Sequence, residues 1–92
     1  MTIKPQELLD FWFVSTPSSK RYSSDPDLDT EIRDRFSVLW QEGKNGALAQ
    51  WDNEASGALA LIILLDQFPR NMFRGRAEAF STDYRALETA KR

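Results

Sequence analysis

Hydrophobic residues recur at helical spacing along most of this chain, and no segment alternates convincingly as a half-buried strand does. Asp25 is placed to cap a helix whose first position is Pro26, and Gly43 or Gly46 is expected to end it. The stripe that defines this helix repeats every 3.6 residues and consists of Leu28, Ile32, Phe36, Leu39 and Trp40. We therefore predict a long amphipathic helix over the second quarter of the chain.

Two further helices are predicted to be apolar on nearly every side. The first runs from about Pro5 to Val14, where proline suits the opening turn. The other runs from Gly57 to about Gln67, with Ser56 as its cap and Pro69 as its stop. It contains eight consecutive apolar residues, and a buried strand is the weaker interpretation of this run. In a folded protein such helices must be covered by other helices or by a partner.

A fourth helix is predicted from about Arg76 to the C-terminus, with Ala77, Phe80, Tyr84 and Leu87 near one face. The segment Thr16–Ser24 is expected to be a loop, and Leu48 and Trp51 anchor a short connector. These elements predict an all-α fold with about four helices stacked as antiparallel hairpins. The length of 92 residues predicts a single helical domain over 1–92.

Composition excludes several kinds of chemistry. The chain has no cysteine and no histidine, which excludes disulfides, thiolate metal sites and a Ser-His-Asp triad. The acidic residues early in the second helix fit the helix dipole better than a calcium site. We expect no cofactor and no metal.

The net charge of −2 gives no sign of nucleic-acid binding, and the apolar run is far shorter than a membrane span. We therefore expect no membrane partner and a cytoplasmic location.

Charge is distributed unevenly between the two parts of the chain. Residues 1–67 carry six Lys or Arg and eleven Asp or Glu, whereas residues 68–92 carry six and three. The resulting charges are −5 and +3. Either the two parts attract each other, or the basic segment faces a small anionic ligand; the first is the simpler interpretation.

The densest polar cluster follows directly on the most apolar helix, within residues 66–75. Arginine presents a planar fork that suits carboxylate or phosphate, and a carboxylate at the edge of a core can act as a base if its pKa is raised. The structural alternative is favoured, because Asp66 and Arg70 are four residues apart and can pair on a helix. The candidate ligand-binding residues of this cluster are Asp66, Gln67, Arg70, Asn71 and Arg74.

The same cluster carries a family resemblance. The hexapeptide Asp66–Asn71 and the following Phe73-Arg74-Gly75 resemble the mainly bacterial family called domain of unknown function 924. The resemblance extends over nearly the whole chain, including Leu9-Asp10-Phe11-Trp12-Phe13, Asp25-Pro26 with Asp29, Ile32, Arg33 and Phe36, Gly46 with Leu48 and Trp51, and Ala79-Phe80 with Asp83. Val14 and Tyr22 depart from the family pattern.

The resemblance implies an all-helical fold similar to the tetratricopeptide-like superfamily, and no assigned activity. It also adds Asp83 to the candidate ligand-binding residues. Members of this family are about twice as long as this chain. Any site shared with the missing half would therefore be incomplete here.

Two functions remain open from the sequence. The first and favoured one is a helical scaffold or protein-interaction domain. The second is a small-molecule-binding protein or enzyme with a polar pocket around Asp66–Asn71. Because two helices have apolar surfaces on most sides, we also expect a homodimer rather than a stable monomer.

Overall fold

The computed structural model describes residues 3–21 and 25–90, and within these ranges all regular structure is helical. The all-α prediction is confirmed. Tyr22 lies outside the described residues. The helices are α1 (Pro5–Asp10), α2 (Ser18–Arg21), α3 (Pro26–Lys44), α4 (Ala55–Ile62), α5 (Phe68–Met72) and α6 (Asp83–Ala90), with π-helical turns at Phe11–Ser15 and Ile63–Gln67 and 3₁₀ turns at Ala49–Asn53 and Ala77–Phe80.

Helix α3 begins as its sequence predicts. The Asp25 carboxylate accepts hydrogen bonds from the backbone N–H groups of Asp27 and Leu28, at 3.0 and 3.1 Å. These bonds, led by the one from Leu28 and helped by the charge of Lys20, lower the pKa of Asp25. The cap therefore stabilises the fold above the ordinary carboxyl pKa and loses that contribution as pH falls through the lowered value. The helix ends at Lys44, and Gly46 takes the positive φ of 86° that the turn requires.

The predicted third helix is longer than expected. It begins at Ala55 with Glu54 as N-cap, not at Ser56, and α4, the π-turn and α5 follow one another without a break. We call residues 55–72 the middle helix. The prediction that Pro69 stops this helix is wrong.

The π-turn and the hydroxyl group of Thr82 together accommodate Pro69 inside the middle helix. The N–H of Phe68 donates to the Ile63 carbonyl, a five-residue spacing. Proline has no N–H to donate to the carbonyl four residues earlier, and the Thr82 hydroxyl donates to that Leu65 carbonyl at 2.6 Å. The Leu65 carbonyl, which receives no hydrogen bond from Pro69, therefore accepts one from a residue outside the helix.

The predicted fourth helix and one predicted loop also differ from the structure. In place of a single helix from Arg76, the structure has the 3₁₀ turn Ala77–Phe80 and then α6. Thr82, between these two elements, lies against the middle helix. We call α6 the last helix. The loop Thr16–Ser24 contains the one-turn helix α2 in its described part.

The core lies around the middle helix. Phe68 is fully buried, and its ring packs on Phe11, Trp12 and Phe36, with centroid distances of 6.1, 5.5 and 4.9 Å. These contacts join the π-helical turn that follows α1 to α3 and the middle helix. No helix in the described ranges is long and apolar enough to cross a membrane.

Candidate functional site

The candidate polar residues lie on two adjacent strips at the C-terminal end of the middle helix. Asp66 and Arg70 form one strip, and Gln67 and Asn71 form the next, because residues four apart share a helix face. The first strip faces the last helix and the second faces α3. A cluster that is continuous in sequence is thus divided into two networks.

The network on the α3 side, which we call the Asp29 network, consists of Asp29, Gln67, Asn71 and Arg74. Gln67 Nε2 donates to Asn71 Oδ1, and Asn71 Nδ2 donates to Asp29 Oδ1, both at 3.0 Å. Arg74 donates through Nε to Asp29 Oδ2 at 2.8 Å and through Nη2 to Oδ1 at 3.1 Å. Asp29 is therefore a largely covered acceptor that fixes the end of the middle helix to α3.

Burial strengthens the inner part of the Asp29 network. Asn71 is only 1% exposed and the Asp29 side chain 14% exposed, whereas the Arg74 side chain is 44% exposed. The hydrogen bonds to Asp29 raise the pKa of Arg74. Because the ordinary pKa of arginine is already far above neutral pH and this shift raises it, Arg74 stays charged at neutral pH. Its two parallel N–H···O bonds have the fork geometry that arginine and carboxylate share.

The network on the side of the last helix, which we call the Arg70 network, consists of Asp66, Arg70 and Asp83. Arg70 Nη2 lies 3.0 Å from Asp66 Oδ1 and 3.2 Å from Asp83 Oδ2. The guanidinium also lies over the Phe80 ring, 4.7 Å from its centroid. The hydrogen bond with Asp66 is the main reason that the pKa of Arg70 is raised. The predicted pairing of Asp66 with Arg70 is present.

The Arg70 network lacks a buried member comparable to Asn71 in the Asp29 network. Its three side chains are 38 to 45% exposed. Asp66 accepts its hydrogen bond from Arg70 in contact with solvent. This geometry ties the middle helix to the last helix.

Two residues that matter for this region were not among the candidates. Asp29 binds Asn71 and Arg74 from more than forty positions away. Arg33 donates to the carbonyl of Met72 at 2.7 Å, at the end of the middle helix. The opposite charges of residues 1–67 and 68–92 were the available signal, since Asp29 and Arg74 pair across that division.

An open cleft of about 510 Å³ borders the Asp29 network. It lies between α3 and the turn that follows the middle helix. Its wall includes the ring of Phe73, which packs on Trp40 with centroids 4.9 Å apart. Its charged and polar lining comprises Asp29, Arg33, Asn71, Arg74 and Arg76. Nowhere in the described ranges do three or more carboxylates, the chain's metal-binding side chains, converge on a possible metal site.

Comparison with known proteins agrees with the resemblance seen in the sequence. The profile of a family described as bacterial protein of unknown function, DUF924, matches residues 8–92. The chain is also similar to a solved protein of unknown function, ATU0120 from Agrobacterium tumefaciens, with 37% sequence identity and a TM-score of 0.89. This likeness covers 95% of the chain and 49% of ATU0120, so the chain spans about half the length of that protein. None of the curated proteins compared with the chain matches it. The chain belongs to the DUF924 family of bacterial proteins of unknown function.

Proposed function

We propose that this chain is a helical protein-interaction domain that acts in the cytoplasm and pairs with a second copy of itself. Its helices would form one domain stacked in the manner of tetratricopeptide-like proteins, with no role for nucleic acid. The observation that supports this proposal is an exposed apolar face on the segment around the last helix. We call Phe80, Tyr84 and Leu87 the apolar face.

The apolar face has the geometry of a helix contact surface. Its three side chains are 57, 54 and 56% exposed. Tyr84 and Leu87 share one side of the last helix at a spacing of three residues, and Phe80 lies in the 3₁₀ turn that precedes it. On the other side of the last helix, Ala86 and Thr89 are buried. The last helix therefore uses small residues for its own fold and presents large apolar residues outward.

A second copy suits this surface because a two-fold interface joins the same patch on both partners. The apolar face is bordered by charges of both signs, including Arg70, Asp83 and Glu88. Its three side chains expose on the order of 300 Å², against about 800 Å² that each partner buries in a typical stable interface. They would form the apolar centre, with the charged residues as the rim.

The structure changes the reason for expecting a dimer. Helix α1 with the π-turn that follows it, and the middle helix, are largely covered within the monomer. The large apolar side chains that stay exposed on these segments are Phe13, Val14 and Leu59. The accessible surface of 5555 Å² is close to the roughly 5,500 Å² expected for a compact monomer of this mass. The dimer proposal therefore rests on the apolar face as a surface for association, and not on uncovered helices of the core.

Light scattering across a micromolar to millimolar range tests the proposal. We expect the wild-type chain to approach the dimer mass, and Leu87→Glu to remain monomeric because a charge would be buried in the interface. Val38→Glu is the matched control, since Val38 is 75% exposed on α3. A monomer at every concentration, or equal effects of the two substitutions, would refute self-association. Circular dichroism verifies that both variants fold.

Small-molecule binding or catalysis in a polar pocket around Asp66–Asn71 is the competing function. Within this segment the Asp66 carboxylate, the Arg70 guanidinium and the Asn71 amide are already paired with protein groups. A ligand there would have to displace these contacts. We therefore favour the interaction domain, with the polar residues holding the helices that present its surface.

A further inference from the structure

The cleft beside the Asp29 network combines an excess of positive charge with an aromatic wall. Its lining contains three guanidinium groups and one carboxylate, although the whole chain carries a net charge of −2. We propose that this cleft binds the phosphate group of a small phosphomonoester. The three guanidiniums are those of Arg33, Arg74 and Arg76.

Two of the three arginines are held in place before any ligand arrives. Asp29 holds Arg74 through two hydrogen bonds, and the Met72 carbonyl holds Arg33 through one. Fixing a long side chain in advance lowers the entropic cost of binding. A guanidinium carries five N–H donors, and Arg33 uses only Nη2 toward the described part of the chain. Its remaining donors are available to an anion.

The third arginine is positioned to complete the site from solvent. The Arg76 side chain is 72% exposed, and its ion pair with the Glu78 carboxylate has an N···O distance of 3.9 Å. An exposed ion pair at this distance contributes little, so Arg76 can turn toward a ligand at low cost. Arg76 therefore supplies affinity without supporting the fold.

The chemistry of the lining favours a phosphomonoester over other anions. A phosphomonoester carries nearly two negative charges and three acceptor oxygens, which match the excess of two positive charges and the N–H donors that Arg33 and Arg76 can offer beside the Arg74 charge. The ring of Phe73 is fixed against Trp40 at the cleft wall. It offers an apolar surface to the organic group that a phosphomonoester carries and inorganic phosphate lacks.

Isothermal titration calorimetry on the full chain tests the site, with inorganic phosphate and phenyl phosphate as probes. We expect both probes to bind, and phenyl phosphate to bind several-fold more tightly because of the aromatic wall. Arg76→Gln should weaken phosphate binding about tenfold, since it removes a charged donor. Arg33→Gln should act similarly, but because Arg33 also binds a backbone carbonyl, the exposed Arg76 is the more direct probe.

Arg35→Gln is the matched control for charge. Arg35 lies on the same helix as Arg33 and pairs with Glu7 and Glu31, outside the cleft. Absence of heat with both probes, or equal weakening by the Arg35 and Arg76 substitutions, would overturn the site. Equal affinity for the two probes would overturn the contribution of the organic group and leave phosphate itself as the ligand. Light scattering reports separately on the apolar face, so the two proposals can fail independently.

Discussion

The middle helix and the last helix both carry large apolar residues at helical spacing, yet the fold treats them in opposite ways. In the middle helix, Leu64 and Leu65 are at most 1% exposed. In the last helix, Tyr84 and Leu87 are more than half exposed. The middle helix contacts α1, α3 and the last helix, whereas the contacts of the last helix are concentrated on the middle helix. An apolar stripe thus shows that a helix has a contact surface, and the neighbours decide whether the monomer covers it.

The polar contacts follow the same division. The last helix is tied to the middle helix by the exposed Arg70 network and, through the residue directly before it, by the buried hydroxyl of Thr82. Beyond these contacts it buries only small side chains such as Ala86 and Thr89. Segments with few large buried contacts open at lower free energy than the core. We expect the last helix to be the less stable of the two.

The largest expected effect comes from Leu64→Ala. Leu64 is fully buried, so the substitution removes apolar contacts and leaves a cavity that costs about 2–5 kcal/mol of unfolding free energy. Urea unfolding followed by circular dichroism measures this loss. The matched substitution Leu87→Ala, on the apolar face, should change the stability of the monomer by less than about 0.5 kcal/mol.

The two leucines together test whether the helices differ as described. Comparable losses at both positions would show that Leu87 is covered in solution and that the last helix belongs to the core. The measurement is made at low concentration, because any association through the apolar face would add apparent stability.

Local signals in the sequence predicted much of the fold. The pair Asp25-Pro26 and the stripe that follows it place the start and the buried face of α3 correctly. The uninterrupted apolar run predicted the burial of Leu61, Ile62, Leu64 and Leu65. The three leucines are buried, and Ile62 is only half-buried. The pairing of Asp66 with Arg70 was also predictable, because it needs only helical spacing. These features depend on residues close together in the chain.

The features that could not be predicted depend on distant partners. Pro69 was expected to end a helix, and it does not, because Thr82 supplies a hydrogen bond from seventeen positions beyond Leu65. Asp29 looked like a residue that merely favours the helix dipole, yet it is the acceptor at the centre of a partly buried network. The spacing rules of one helix contain no information about such contacts.

Thr82→Val should have the second-largest effect. The Thr82 hydroxyl donates to the Leu65 carbonyl at 2.6 Å and accepts from Trp40 Nε1 at 3.2 Å. Valine keeps the shape but leaves a buried carbonyl and a buried indole N–H without partners, at a cost of about 1–3 kcal/mol. Hydrogen exchange should show faster opening of the last helix than of the middle helix.

The control for this substitution is Thr30→Val on the exposed surface of α3. It makes the same chemical change where water can replace the hydroxyl, so we expect almost no loss of stability. If Thr82→Val were equally harmless, the continuation of the middle helix through Pro69 would not depend on the last helix, and the assigned role of Thr82 would be wrong.

Asp66→Asn should have the smallest effect, although Asp66 lies in the most conspicuous polar motif of the chain. It removes a charge from a pair that is 3.0 Å long but 38 to 45% exposed, and such pairs contribute about 0.2–1 kcal/mol. Arg70 would keep Asp83 as a partner. Because salt screens exposed charges, the difference between wild type and variant should shrink as salt is raised during urea unfolding. Asp34→Asn, on exposed α3 surface, controls for the loss of one negative charge. A loss of several kcal/mol that salt does not reduce would show that the Arg70 network is buried in solution, and that the last helix is held as firmly as the middle helix.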